Sequence, residues 1–98
     1  MLYELEKFII IFTSNYHGYY IEELFRRNKI KSTMKKAPRA LGKSCNTALY
    51  IAERDLERAV ELVVQTKIPY EGIFEIVNNQ NVYSYKKVVY KKDEERKN

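Results

Sequence analysis

The spacing of hydrophobic residues changes several times along this 98-residue chain, and each change predicts a new element of secondary structure. Residues 7–13 are almost entirely apolar, with β-branched and aromatic side chains, which is typical of a strand covered on at least one face by helices. Ser14 or Asn15 then supplies a helix N-cap, and the period becomes helical over residues 16–29. The predicted inward face of this helix consists of Tyr20, Ile21, Leu24 and Asn28.

The rest of the chain predicts four further strands and a second helix. Residues 30–36 are rich in lysine and predict a strand at an exposed sheet edge, and residues 47–51 predict a strand with two apolar faces. Residues 53–66 form the clearest helical pattern, and residues 70–77 and 82–90 predict two further strands. The apolar stripe of the second helix consists of Leu56, Ala59, Val60 and Val63.

This order of elements predicts an α+β fold, a ferredoxin-like βαββαβ two-layer sandwich with an extra C-terminal strand. Right-handed crossovers place both helices on one face of an antiparallel sheet, with the first and third strands at its centre. The other face is then open or covered by a partner. We divide the chain into a ferredoxin-like domain at residues 7–77, a C-terminal strand arm at 78–90 and a charged flexible tail at 91–98.

Composition excludes several classes of protein. The chain is 45% hydrophobic and 32% charged, with three glycines and two prolines, which excludes a collagen-like or wholly disordered chain. No apolar run approaches the roughly 18 residues that cross a bilayer, and no basic segment precedes the run at residues 8–12. We therefore expect no membrane span and no secretory signal, and we expect a cytoplasmic protein. One cysteine excludes a disulfide framework and an all-cysteine zinc site, and we expect no metal.

The net charge of +5 is distributed unevenly along the chain. Residues 26–43 contain only basic and neutral side chains, whereas acidic residues outnumber basic ones in residues 1–25 and 44–80. Such a block attracts anions, which include phosphate, nucleic acid, an acidic partner or a small anionic substrate. The alternative is that its lysines only protect an edge strand from pairing with other chains.

Cys45 is the strongest candidate for chemistry because it lies between a loop and a strand, among polar or small neighbours. Arg39 and Lys43 are close in sequence, and nearby cations lower the pKa of a thiol. Asn46 tolerates a left-handed backbone, so the turn can present the sulfur outwards with backbone N–H groups beside it. We therefore predict Cys45 as a nucleophile, with Arg39, Lys43, Ser44 and Asn46 as anion-binding residues. The alternative is a buried and inert core cysteine.

Two short motifs lie close together in the middle of the chain, Pro38-Arg39 and Ser44-Cys45, and the second leads into a small and apolar strand. With three other segments they resemble the selenium/sulfur carrier-like family of small bacterial domains. The resemblance spans residues 7–77 and also draws on Phe12-Thr13-Ser14, His17 and Tyr70-Glu71-Gly72-Ile73-Phe74. This chain departs from the family pattern at Asn46, where the family has glycine, although both residues tolerate a positive φ.

The resemblance implies a carrier without enzymatic turnover of its own. Cys45 would hold selenium or sulfur as a perselenide or persulfide, and no other cofactor is implied. The implied partners are a cysteine desulfurase-like donor and an acceptor enzyme that uses the element. Self-association into a homodimer stays open, and His17, the only histidine, is either a partner of Cys45 or a capping and packing residue.

A nucleic-acid- or anion-binding adaptor with a structural cysteine is the alternative hypothesis. Ferredoxin-like sheets bind RNA through exposed aromatic and basic side chains, and this chain has nine tyrosines and a basic stretch. No strand carries the Lys/Arg-Gly-aromatic-Gly/Ala-Phe signature of that module, which weakens this hypothesis. Residues 37–44 match a phosphate loop only loosely, because alanine replaces the first glycine and a strand-like segment follows.

Overall fold

The fold of residues 6–41 and 46–88 is described by a computed structural model. Two α-helices and five strands form these ranges. The strands are β1 (Glu6–Phe12), β2 (Ser32–Lys36), β3 (Thr47–Ala52), β4 (Gly72–Asn79) and β5 (Val82–Val88). The helices are α1 (Asn15–Arg27) and α2 (Leu56–Thr66), and single 3-10 turns occur at Arg39–Leu41 and Glu53–Asp55. The predicted α+β class is confirmed.

The strands form one antiparallel sheet in the order β2-β3-β1-β4-β5. This order differs from the predicted one, in which β1 and β3 share the centre, because β5 extends the sheet beyond β4. As a result β1 alone is central, and β2 and β5 form the edges. The run of isoleucine and phenylalanine in β1 suits this position, since both of its faces are buried.

Both helices pack on one face of the sheet, where they enclose the main core. This core contains Phe8, Ile10, Phe12, Ile21, Phe25, Ile30, Leu49, Ile51, Leu56, Ala59, Val60, Val63 and Ile73. The stripe predicted for α2 is therefore confirmed. Neither helix in the described ranges has the length and apolarity that a membrane crossing requires.

The predicted inward face of α1 is wrong by part of a turn. Tyr20 is 53% exposed and Asn28 is also exposed, whereas Gly18 and Phe25 are buried. Ile21 is buried as predicted, and Leu24 is partly buried against the core. The buried face is centred on Ile21, with Gly18 and Phe25 one turn away on either side. This arrangement turns the tyrosines of the helix towards solvent.

The second face of the sheet is covered in part by the chain itself, contrary to the expectation of an open or partner-covered face. A smaller buried cluster there consists of Ile9, Ile11, Ala37, Ala48, Tyr50 and Phe74. No residue of α1 or α2 belongs to it; instead Ala37 and Leu41, from the segment after β2, pack on it. We call Ala37–Leu41 the cover segment.

Candidate functional site

The loop that carries the predicted site is closed at its base by a backbone hydrogen bond. Ala37, at the end of β2, donates its N–H to the carbonyl oxygen of Asn46, just before β3, at 3.0 Å. Of the predicted site residues, Arg39 and Asn46 are described, whereas Lys43, Ser44 and Cys45 lie outside the described residues. The hydrogen bond therefore holds together the two ends of the loop in which all five residues occur.

Arg39 is an exposed cation at the start of the 3-10 turn of the cover segment. The Leu41 N–H donates to the Pro38 carbonyl oxygen at 3.1 Å, which forms this turn, and Leu41 packs against the apolar cluster below. Arg39 forms no ion pair with any carboxylate in the described ranges. Its guanidinium group therefore remains available to an anion.

The first turn of α1 is attached to the start of β3, directly after Asn46. The Thr47 hydroxyl donates a hydrogen bond to the side-chain oxygen of Asn15. A Cβ atom built on Gly18 would lie 2.7 Å from the Thr47 methyl carbon, so only glycine permits this close approach of α1 to β3. We call this end of the sheet, at which β3 starts and β1 and β2 end, the Thr47 end.

The N-terminus of α1 at this end is capped as predicted. The Ser14 hydroxyl oxygen accepts hydrogen bonds from the N–H groups of Tyr16 at 3.1 Å and His17 at 3.5 Å. A helix N-terminus carries a partial positive charge that favours anions within its first turn. The N-terminus of α1 therefore lies at the Thr47 end on the helix side of the sheet, whereas Arg39 belongs to the cover segment on the other face.

The side chain of His17 lies where α1 begins and α2 ends. With Tyr16, Tyr20, Thr66 and Ile68 it lines an open pocket of about 340 Å³. Its Nδ1 atom is buried and has no hydrogen-bond partner within the described part of the chain. The sequence suggests His17 only as a partner of Cys45 or as a capping or packing residue. The pocket also requires the end of α2, and spacing along the chain does not show that α2 ends beside His17.

Tyr50, on the opposite face of the sheet, makes two contacts that the sequence does not predict. Its hydroxyl donates to the carbonyl oxygen of Lys36 at 3.2 Å, and the Lys35 ammonium lies 4.5 Å from the centre of its ring. Burial raises the pKa of Tyr50 above its usual value of 10.0, and Tyr85 and Glu6 add smaller contributions in the same direction. Tyr50 thus ties the end of β2, where the cover segment begins, to β3.

We expect Tyr50→Phe to lower the free energy of unfolding by about 1 kcal/mol at neutral pH, because it removes this hydrogen bond. Since the pKa of Tyr50 is raised by folding, the folded state retains the proton longer than the unfolded state. The wild type should therefore lose stability as pH rises above 10.0, and Tyr50→Phe should lose less over the same interval. Urea unfolding on both sides of that pH measures this difference. Equal alkaline losses in the two proteins would contradict the expectation, and Tyr83→Phe, at an exposed position, is the control.

Comparison with known proteins was made at three levels. The family model described as "Putative Se/S carrier protein-like" matches residues 7–75. Searches of curated proteins and of solved structures found no match. The matched range runs from β1 into β4 and contains the whole loop between Ala37 and Asn46. The resemblance noted in the sequence is therefore confirmed, and the chain belongs to the Se/S carrier protein-like family.

Proposed function

We propose that this protein carries selenium or sulfur on Cys45 and relays it between a donor protein and an acceptor protein. Family membership over residues 7–75 carries the proposal, because that range contains Cys45 and the chain has no other cysteine. A thiolate is the side chain best suited to form a bond to a second sulfur or to selenium. The carrier function therefore depends on Cys45, whose thiolate would hold the transferred sulfur or selenium atom.

The transfer is a thiol exchange that needs no external oxidant or reductant. The Cys45 thiolate attacks the terminal sulfur of a persulfide on the donor. A sulfur–sulfur bond forms to Cys45 while the bond inside the donor persulfide breaks, and the donor cysteine leaves as a thiolate. The transferred sulfur keeps its proton, and the acceptor repeats the exchange with Cys45 as the leaving thiolate. A perselenide follows the same course.

The residues around Cys45 have distinct roles in this proposal. Arg39 and Lys43 stabilise the thiolate and attract anionic sulfur or selenium species, while Ser44 and the backbone at Asn46 orient the sulfur. The exposure of Arg39 and the hydrogen bond between Ala37 and Asn46 support these roles. The N-terminus of α1 at the Thr47 end adds a further positive contribution.

Two finer assignments follow from the same observations. We propose that β1 to β4 with the two helices form a ferredoxin-like split βαβ unit to which β5 is added, since β1 lies antiparallel between β3 and β4. We also propose a reducing compartment, the cytoplasm, because the carrier thiol must stay free of disulfide bonds between transfers.

A nucleic-acid adaptor is less well supported than a carrier. RNA recognition on a sheet of this type depends on exposed aromatic rings that stack on bases. Tyr50 and Phe74, the aromatic residues of the buried cluster on the second face, are each only 9% exposed. The cover segment packs on the same cluster, so the rings at the centre of this face are not available for stacking, and exposed ring surface is left on β5 at Tyr83.

Transfer from a cysteine desulfurase charged with L-cysteine tests the carrier function. We expect the wild-type protein to gain the mass of one sulfur atom and to lose it when a thiol reductant is added. Cys45→Ser is the control and should gain nothing. Adducts of equal size and yield on the Cys45→Ser variant would contradict the proposal, because they would show that the sulfur resides elsewhere.

A further inference from the structure

Three tyrosines form an exposed surface on the first two turns of α1. Tyr16, Tyr19 and Tyr20 are 77%, 60% and 53% exposed. Residues three and four positions apart are neighbours on a helix, so Tyr16 adjoins both of the others. We call these three residues the tyrosine surface. Tyrosine is enriched in protein interfaces, because its ring has a large apolar area and its hydroxyl forms hydrogen bonds.

The His17 pocket opens beside the tyrosine surface. Tyr16 and Tyr20 line it from α1, and Thr66 and Ile68 line it from the end of α2. The buried Nδ1 atom of His17 lacks a partner within the described residues, and a buried polar atom of this kind gains free energy from a hydrogen bond. A concave pocket between exposed aromatic rings is typical of the place where a partner inserts one side chain.

Two unpaired cations lie close to this surface. Lys67 is exposed and lies between Thr66 and Ile68 of the pocket, with its backbone in the left-handed conformation at φ 63°. Lys36 is exposed at the end of β2, opposite Thr47 in the register of β2 and β3. Neither cation pairs with a carboxylate in the described ranges, whereas Glu22 and Glu23 on α1 are paired with Arg26 and Arg27. Such a surface favours a partner that presents carboxylates.

We propose that the tyrosine surface and the His17 pocket dock an acidic face of the enzyme that loads Cys45, with one of its side chains inserted in the pocket. This inference rests on the proposed carrier function. The link between Asn15 and Thr47 fixes the first turn of α1 at the Thr47 end, next to the loop of Cys45. A protein bound to the tyrosine surface is therefore held at the end of the sheet where transfer takes place.

A second copy of this chain is a poorer occupant of the same surface. A two-fold symmetric contact places the same patch on both subunits. The two positive patches, each with Lys36 and Lys67, would then face each other, and like charges across an interface oppose association. An acidic partner meets no such repulsion.

Transfer kinetics with two sets of tyrosine variants test this docking surface. The combined change Tyr16→Ala and Tyr20→Ala should raise the KM for the carrier about tenfold or more in transfer from a cysteine desulfurase charged with L-cysteine. The kcat should stay within about twofold, because neither tyrosine takes part in the exchange. Alanine is a good helix former, and thermal unfolding by circular dichroism checks that the fold is kept.

Tyr83→Ala is the matched control, since Tyr83 is 58% exposed but lies beside the β4–β5 turn, away from the Thr47 end. Its KM should equal that of the wild type. Lys67→Asn is a second variant, in which asparagine suits the left-handed backbone and removes the charge. It should raise KM and reduce the dependence of KM on salt.

The outcomes separate this inference from the proposed function. If no sulfur reaches Cys45 of the wild type, the carrier function fails and the docking surface fails with it. If sulfur reaches Cys45 with the same KM in the tyrosine variants, only the docking surface is overturned. A wild-type dimer that the tyrosine changes dissociate, or an RNA oligomer whose binding they abolish, would also overturn it, because the surface would then have a different occupant.

Discussion

Replacing Gly18 with alanine is expected to lower the free energy of unfolding by about 1–2 kcal/mol, although alanine alone would favour the helix by about 1 kcal/mol. The reason is the packing of α1 on β3. An added Cβ atom would lie 2.7 Å from the Thr47 methyl carbon and 3.4 Å from its Cβ atom. Thr47 is buried and hydrogen bonded to Asn15, so it has little freedom to move away.

Urea unfolding of Gly18→Ala, Thr47→Ser and the double variant measures this effect. Thr47→Ser removes the methyl group that clashes and keeps the hydroxyl that donates to Asn15. The cost of Gly18→Ala should therefore be smaller in the serine background, with a coupling free energy of about 1 kcal/mol or more. A gain in stability for Gly18→Ala in the wild-type background would show that α1 does not approach β3 as closely as described.

The thiol of Cys45 is expected to titrate below the usual value of about 8.5 for a free cysteine. The rate of alkylation by iodoacetamide against pH measures this pKa, because only the thiolate reacts. The cations and helix N-terminus of the proposed site would stabilise the thiolate, so its fraction at neutral pH should exceed that of a free cysteine. A midpoint at or above the free value would contradict the assignment of an activated thiol.

Arg39→Ala identifies one source of this activation. It should raise the midpoint of the alkylation profile, since it removes the exposed cation that follows β2. Arg27→Ala is the matched control. Arg27 belongs to the same basic stretch, but it lies in the last turn of α1 and is paired with Glu23 at 3.3 Å. Equal midpoints in Arg39→Ala and the wild type would remove Arg39 from the proposed site.

The elements that local chemistry dictates could be predicted from the sequence. Ser14 caps α1 because its hydroxyl replaces the partners that the first helical N–H groups lack. The alternation in β3 puts Leu49 and Tyr50 on opposite faces of the sheet. Leu49 lies in the core under the helices and Tyr50 in the cluster on the other face. The lysines of β2 correctly indicated an edge strand.

Features that depend on tertiary packing could not be predicted in the same way. The inward face of α1 was misplaced because Leu24 and Phe25 are both apolar, and only the packing of the helix against the sheet selects Gly18 and Phe25. The role of the cover segment has no periodic signal, since Ala37 and Leu41 are separated by proline, arginine and alanine. Sequence motifs singled out Cys45, whereas the pocket at His17 arises only where the two helices meet.

The most direct test of the carrier function is the intact mass of the protein isolated without reductant from the organism that makes it. The account predicts a fraction of molecules heavier by one sulfur or one selenium atom, with the extra atom mapped by peptide fragmentation to Cys45. Addition of a thiol reductant should return this fraction to the unmodified mass. The unmodified mass alone, from cells in which the donor enzyme is active and the acceptor has been deleted, would contradict the account.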